Sequence, residues 1–197
     1  LLELGSYRCA LEPVGEDLLP VVSADGHWEV ICRNHNLTLR ECATGVEKAL
    51  TKDGEPHYGY GSYADFLSLS ICENSPLLPA VLWSHDGRFL AVQRIDERQV
   101  KALPLMQSVP EDGTVRPINH SYKMAFPGDS NIALVSLCVI DVEREETIYC
   151  DRPPVPASDG GFMECGFMSW GTDNCVYYTE WTRDKKTVRF VAFDPEN

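Results

Sequence analysis

The chain has 197 residues, of which 30 are acidic and 17 basic, giving a formal net charge of −13. Without a basic stripe, that balance argues against a nucleic-acid or anionic-membrane partner. No apolar run approaches the ~18 residues that a membrane-spanning helix needs, and the length suffices for one domain, or two small ones, with a substantial core.

Taken in order, Ser6–Leu11 reads as a short strand, and Glu12–Leu19 as a polar, proline-containing connection. Ser23-Ala24-Asp25-Gly26 is a turn. Asp25 can accept a backbone N–H across it, and Gly26 can take positive φ without a Cβ clash. Strands are expected at Trp28–Arg33, Leu37–Glu41 and Glu47–Leu50, the spacing of a meander. Residues 52–80 break the pattern. His57-Tyr58-Gly59-Tyr60-Gly61-Ser62-Tyr63 is rich in glycine and aromatics, and Tyr63–Cys72 has helical spacing. Long insertions in compact domains are often functional. Tyr58, Tyr60 and Tyr63 are therefore candidate ligand-lining residues, with Asp65 and Glu73 as candidates to hold a cationic group. Packing of the insertion, with the carboxylates solvated, is the plainer alternative.

Trp83-Ser84-His85-Asp86-Gly87-Arg88 repeats the turn, with Asp86 and Gly87 in the same roles, and launches the apolar run Phe89-Leu90-Ala91-Val92. Residues 96–130 form a second inserted stretch. Ile132–Glu143 is a long apolar strand and Glu146–Asp151 another. A third, degraded copy of the turn stands at Trp170-Gly171-Thr172-Asp173-Asn174. Asn174 replaces the glycine there, as the residue next most tolerant of the left-handed region. Strands follow at Val176–Trp181 and Thr187–Phe193.

Three copies of one turn-plus-strand unit, starting near 23, 84 and 170, define an internal repeat. Short strands, frequent turns and this period predict an all-β fold: a partial β-propeller of short antiparallel blades with loop and helix insertions. The aspartates of the three turns lie 61 and 87 residues apart. A blade needs about 40–45 residues, so insertions or a hidden blade must fill the difference. The chain begins at Leu1 rather than Met, which suggests a piece of a longer protein.

No G-x-S-x-G nucleophile elbow occurs, so no serine hydrolase centre can be assigned within these residues. The five histidines lack metal-ligand spacing, and no metal or other cofactor is expected. The eight cysteines form no C-x-x-C pair and several sit in apolar runs. They read as buried free thiols and lean the assignment toward the cytoplasm. Cys32 and Cys42 flank a hairpin and are the one pair considered for a disulfide. The sequons at Asn36 and Asn119 have no secretion signal beside them.

Residues 83–88, followed by Arg94-Ile95-Asp96-Glu97-Arg98-Gln99-Val100, resemble the W-S-P-D-G-K and R-F-D-E-S-x-V runs of the dipeptidyl peptidase IV family. Ser121–Asp129 is similar to that family's S-Y-R-Y-P-x-x-G stretch, and Ser23 opens a matching blade start. The resemblance implies the N-terminal propeller of a serine peptidase. The catalytic triad is then expected in a C-terminal α/β-hydrolase domain outside these residues. It also implies a peptide substrate with a free amino terminus. A homodimer is expected on separate grounds: the terminal strands, that around Tyr7–Leu11 among them, leave backbone groups unpaired, and such edges seek partners. The family's paired glutamates, which hold that amino terminus, are absent before Trp83, where this chain has the 58–66 segment instead. A propeller serving only as a protein-interaction scaffold, and a propeller hydrolase using its own carboxylates, are the competing readings.

Overall fold

A computed structural model describes residues 20–65, 79–110, 113–157 and 168–197, together with the backbone pairing of 2–3 and 8–9. Apart from a 3₁₀ position at Asp65, the regular structure among them is strand. Strands β1 (Leu2–Glu3) and β2 (Arg8–Cys9) form a small antiparallel pair.

The first sheet is a meander of β3 (Val21–Val22), β4 (Trp28–Arg33), β5 (Asn36–Glu41) and β6 (Glu47–Ala49). A two-residue turn joins β4 to β5, with Asn34 at φ 48° and His35 at φ 66°. Two consecutive positive-φ residues match the right-handed twist of the flanking strands. Cys32 and Cys42 are both free thiols. Their pairing fails for a geometric reason. Cys32 lies opposite Leu37 near the turn, whereas Cys42 follows Glu41, which pairs with Trp28 at the far end of the hairpin.

The second sheet is built on β9 (Phe89–Asp96) and β12 (Leu134–Asp141), paired over their full length from Leu134↔Asp96 to Asp141↔Phe89. The other edge of β9 is covered by two short strands placed end to end, β7 (Tyr58–Tyr60) and β8 (Val81–Trp83). The other edge of β12 carries β13 (Glu146–Tyr149) and β14 (Val155–Pro156). Both faces of this sheet are buried. Phe89, Ala91 and Ile95 enter one core, and Leu90 and Val92 enter the other. That explains an unbroken apolar run where a half-exposed strand would alternate. Each large side chain so buried contributes about 1.5–3 kcal/mol. Between β9 and β12 the chain makes a separate hairpin, β10 (Ala102–Gln107) with β11 (Ile118–Lys123).

The third sheet is β15 (Met168–Trp170), β16 (Val176–Trp181) and β17 (Val188–Phe193). The three sheets pack in series, the second directly against the first and the third. Among the described residues, the longer spacing holds the β10–β11 hairpin, which pairs with none of the three sheets.

The same contacts recur at each junction. Trp83 Nε1 donates to the carbonyl of Val21 at 3.0 Å, and Trp170 Nε1 donates to that of Leu82 at 2.9 Å. The leading strands of adjacent sheets are thus tied together. The turns stack as well. Asp25 accepts from Ser23 Oγ at 2.5 Å and His27 N–H at 3.0 Å, and Asp86 from Ser84 Oγ at 2.5 Å and Arg88 N–H at 3.1 Å. Asp173 accepts from Cys175 N–H and Tyr177 Oη. The following residues, Gly26, Gly87 and Asn174, have φ of 71°, 73° and 59°. Asn174 Nδ2 also donates to Asp86 Oδ2 at 3.2 Å, linking one turn to the next. This is the arrangement of adjacent propeller blades.

Candidate substrate-facing cleft

The edge formed by β7 and β8 is where the chain leaves the second sheet and returns to it. Gly61 N–H donates to the Gln93 carbonyl at 2.8 Å, and Gln93 N–H donates to that of Ala80 at 3.0 Å. Ala80 N–H closes the neck by donating to Gly61 O at 2.8 Å. Gly61 sits at φ 63°, and a Cβ there would meet Leu37 Cδ2 at 3.2 Å and Pro79 Cβ at 3.3 Å. Both conformation and space therefore call for glycine. The fully buried Gln93 donates its Nε2 to the Ser62 carbonyl at 3.0 Å. The root of the 61–79 insertion is thus anchored to the middle of β9.

Beside this root lies a cleft of about 250 Å³, walled by His57, Tyr58, Tyr63, Asp65, Ile95 and Glu97, among others. Glu97 is 2% exposed. Its two carboxyl oxygens share the Asp65 N–H, at 3.1 and 3.0 Å. Burial pushes the Glu97 carboxyl up to about 7. The negative charges of Asp65 and Asp96 act in the same direction, against the Asp65 amide and the Lys123 ammonium. Asp65 in turn accepts the Lys123 N–H at 2.6 Å, and Lys123 Nζ donates to the Val100 carbonyl at 2.8 Å. Two carboxyl groups and an aromatic wall in a recess suit a cationic group, because a partly buried carboxylate makes a strong charge-assisted hydrogen bond.

The candidate residues are distributed unevenly. Tyr58, Tyr63 and Asp65 border the cleft. The Tyr58 ring is already sandwiched by two guanidiniums, Arg94 at 4.0 Å and Arg98 at 3.7 Å from its centroid. Tyr60 is elsewhere. It pairs with Arg94 across β7 and β9 and packs into the junction between the first and second sheets. Its hydroxyl donates to Asp53 at 2.9 Å and meets Tyr149 Oη at 3.0 Å, and burial pushes the phenol up. Tyr60 lines a different cavity, of about 280 Å³, with Asp53, Tyr149 and Lys48. Glu73, and most of the stretch read as helical at 63–72, lie outside the described residues.

Reading the sequence missed Gln93, Glu97 and Lys123. Glu97 looks like an ordinary strand-ending acid beside Asp96. Its burial comes from the insertion root and from β11, both distant in sequence. Among the described residues no three His, Cys, Asp or Glu side chains are placed to hold a metal ion, and no helix is long and apolar enough to cross a membrane.

The fold and the interrupted edge strand define a segment of propeller with an insertion in one edge strand of its second sheet. Comparison with known proteins makes that specific. Residues 7–197 match the family model described as the dipeptidyl peptidase IV (DPP IV) N-terminal region, and the chain belongs to that family. It is 26% identical over 173 residues to "Probable dipeptidyl-aminopeptidase B" of Coccidioides posadasii, covering 84% of this chain and 18% of that protein. The corresponding protein of Verticillium alfalfae is 28% identical over 162 residues, covering 76% and 17%. The crystal structure of Porphyromonas gingivalis dipeptidyl peptidase 4 superposes with a TM-score of 0.67 at 21% identity, over 94% of this chain and 25% of that one. The chain thus spans about a fifth of the curated relatives it matches.

Proposed function

We propose that this chain is the non-catalytic propeller portion of a dipeptidyl peptidase IV-like serine exopeptidase. It gates and orients peptides for an α/β-hydrolase domain of the same protein. The observation that carries this reading is the cleft at the insertion root, where Asp65 and the buried Glu97 stand against Tyr58 and Tyr63. A peptide's ammonium end would meet the Asp65 carboxylate there, and the propeller would exclude water and folded substrates. Membership of the DPP IV N-terminal family supports the parent activity. The described cysteines are free thiols, which supports placing the protein in a reducing, cytoplasmic setting.

Hydrolysis of a proline-containing dipeptide amide by the intact protein, compared with its N-acetyl form, tests the reading. The free-amine substrate should be preferred, and Asp65→Asn should raise its KM while leaving that of the acetyl form unchanged. No hydrolysis of either substrate would favour an interaction scaffold.

A further inference from the structure

Glu97 sits at the centre of a closed circuit of hydrogen bonds that joins three separate elements. Its carboxyl holds Asp65 at the insertion root. Asp65 Oδ2 holds the Lys123 amide at the end of β11. The Lys123 ammonium reaches the Val100 carbonyl, and Val100 N–H donates to the Glu97 carbonyl at 2.9 Å. The insertion root and the β10–β11 hairpin, both excursions from the second sheet, are therefore joined by Asp65, whose amide the buried Glu97 side chain holds in place.

We propose that Glu97 is a proton-operated clasp: while its carboxyl is neutral it locks the insertion root against the end of the hairpin, and on ionisation the joint loosens. This rests on the geometry of the joint and goes beyond the peptide reading.

The charges around Glu97 make ionisation costly. Asp65 faces it from the insertion root and Asp96 from β9, both like charges. Lys123 on β11 is the opposing cation, but its ammonium is committed to the Val100 carbonyl. Among the described residues, His57 just before β7, Tyr58 on β7, Tyr63 on the root and His35 in the β4–β5 turn are the other titratable groups lining the shared cleft. Among the described residues, an ionised carboxylate would have a single Asp65 N–H to share between two oxygens. A buried charge so poorly solvated is driven toward water, and the adjoining 250 Å³ cleft lies beside it.

The sign follows from linkage. With its joint-closed pKa raised to about 7 from an ordinary 4.5, Glu97 stabilises the closed joint fully below pH 4.5. That contribution is lost as pH rises toward 7.

Hydrogen-exchange mass spectrometry on the intact protein tests this, using peptides covering 57–65 and 118–125 and correcting for intrinsic exchange. Opening of both segments should rise together, roughly tenfold per pH unit between about pH 5 and 7, and level off above. Glu97→Gln, neutral at every pH, should abolish that rise in both segments. Asp65→Asn removes a like charge and should shift the wild-type curve to lower pH. A wild-type profile flat across this range would overturn the proposal, even if Glu97→Gln failed to fold. So would the same rise in Glu97→Gln, or opening of one segment without the other.

Discussion

At the scale of single residues, the turn at Asp86-Gly87 shows most directly how local chemistry sets structure. Gly87 has φ 73°, and a Cβ there would lie 3.7 Å from Asp25 Oδ2, an ordinary contact. Gly87→Ala therefore costs backbone strain without a clash, about 1 kcal/mol. Asp86→Ala removes the acceptor for Ser84 Oγ, Arg88 N–H and Asn174 Nδ2, and should also cost about 1 kcal/mol. Urea unfolding of the three proteins checks both values. Burial alone would push the Asp86 carboxyl up, but its hydrogen bonds outweigh this and hold it below the usual carboxylate range. Its stabilising contribution is thus present above pH 3.8 and lost as pH falls through the lower folded value. Wild type should lose stability in that acid range more steeply than Asp86→Ala. Such turns are legible because an Asp-Gly pair within a few residues carries all the chemistry. Glu97 was not legible because two distant segments, the insertion root and β11, bury it.

At the scale of elements, the all-β character was readable from run length and turn spacing, and β9 stood out as a short apolar run bounded by turn residues. The β10–β11 hairpin was not readable as a unit. Lys101–Gln107 reads as extended from its sequence, but the half-exposed β11, Ile-Asn-His-Ser-Tyr-Lys, carries almost no apolar signal. Strand β7 was hidden for another reason. Tyr-Gly-Tyr looks like loop, and only its pairing with Arg94–Asp96 makes it a strand.

The junctions between sheets give two tests. Trp83→Phe keeps most of the ring but leaves the Val21 carbonyl without its indole donor, which should cost about 1–3 kcal/mol. On the other side, Arg152 makes a two-point ion pair with Glu180 on β16, 2.6 Å at each contact. Glu180 is 4% exposed, whereas the Arg152 side chain is 40% exposed. Arg152→Met should therefore fall somewhat short of a fully buried pair, at roughly 2–3 kcal/mol. Arg152→Met combined with Glu180→Leu should be less destabilising than the sum of the two single changes, as a double-mutant cycle in denaturant would show.

At the scale of the whole molecule, the sheets differ in how their faces are covered. The second sheet is packed on both sides, whereas the third meets the second with one face only. Its other face carries Tyr177 opposite Ala192 and Trp181 opposite Val188, with Phe190 opposite Thr179. Phe190 is 79% exposed, and Val188, Tyr177 and Trp181 are each more than a third exposed. Among the described residues β17 pairs only with β16, so its outer edge also presents unpaired backbone donors and acceptors. An apolar face beside an open edge favours association, and two copies related by a two-fold axis would satisfy both edges most simply. The net charge of −13 opposes that contact through mutual repulsion, so association should strengthen as salt screens it. We therefore expect the 197-residue chain to form a concentration-dependent dimer in sedimentation experiments, tighter at higher ionic strength. Phe190→Lys on the exposed face should weaken that dimer at least tenfold without lowering the unfolding midpoint. A chain that stays monomeric at high concentration in both low and high salt would show that this face is not used for self-association.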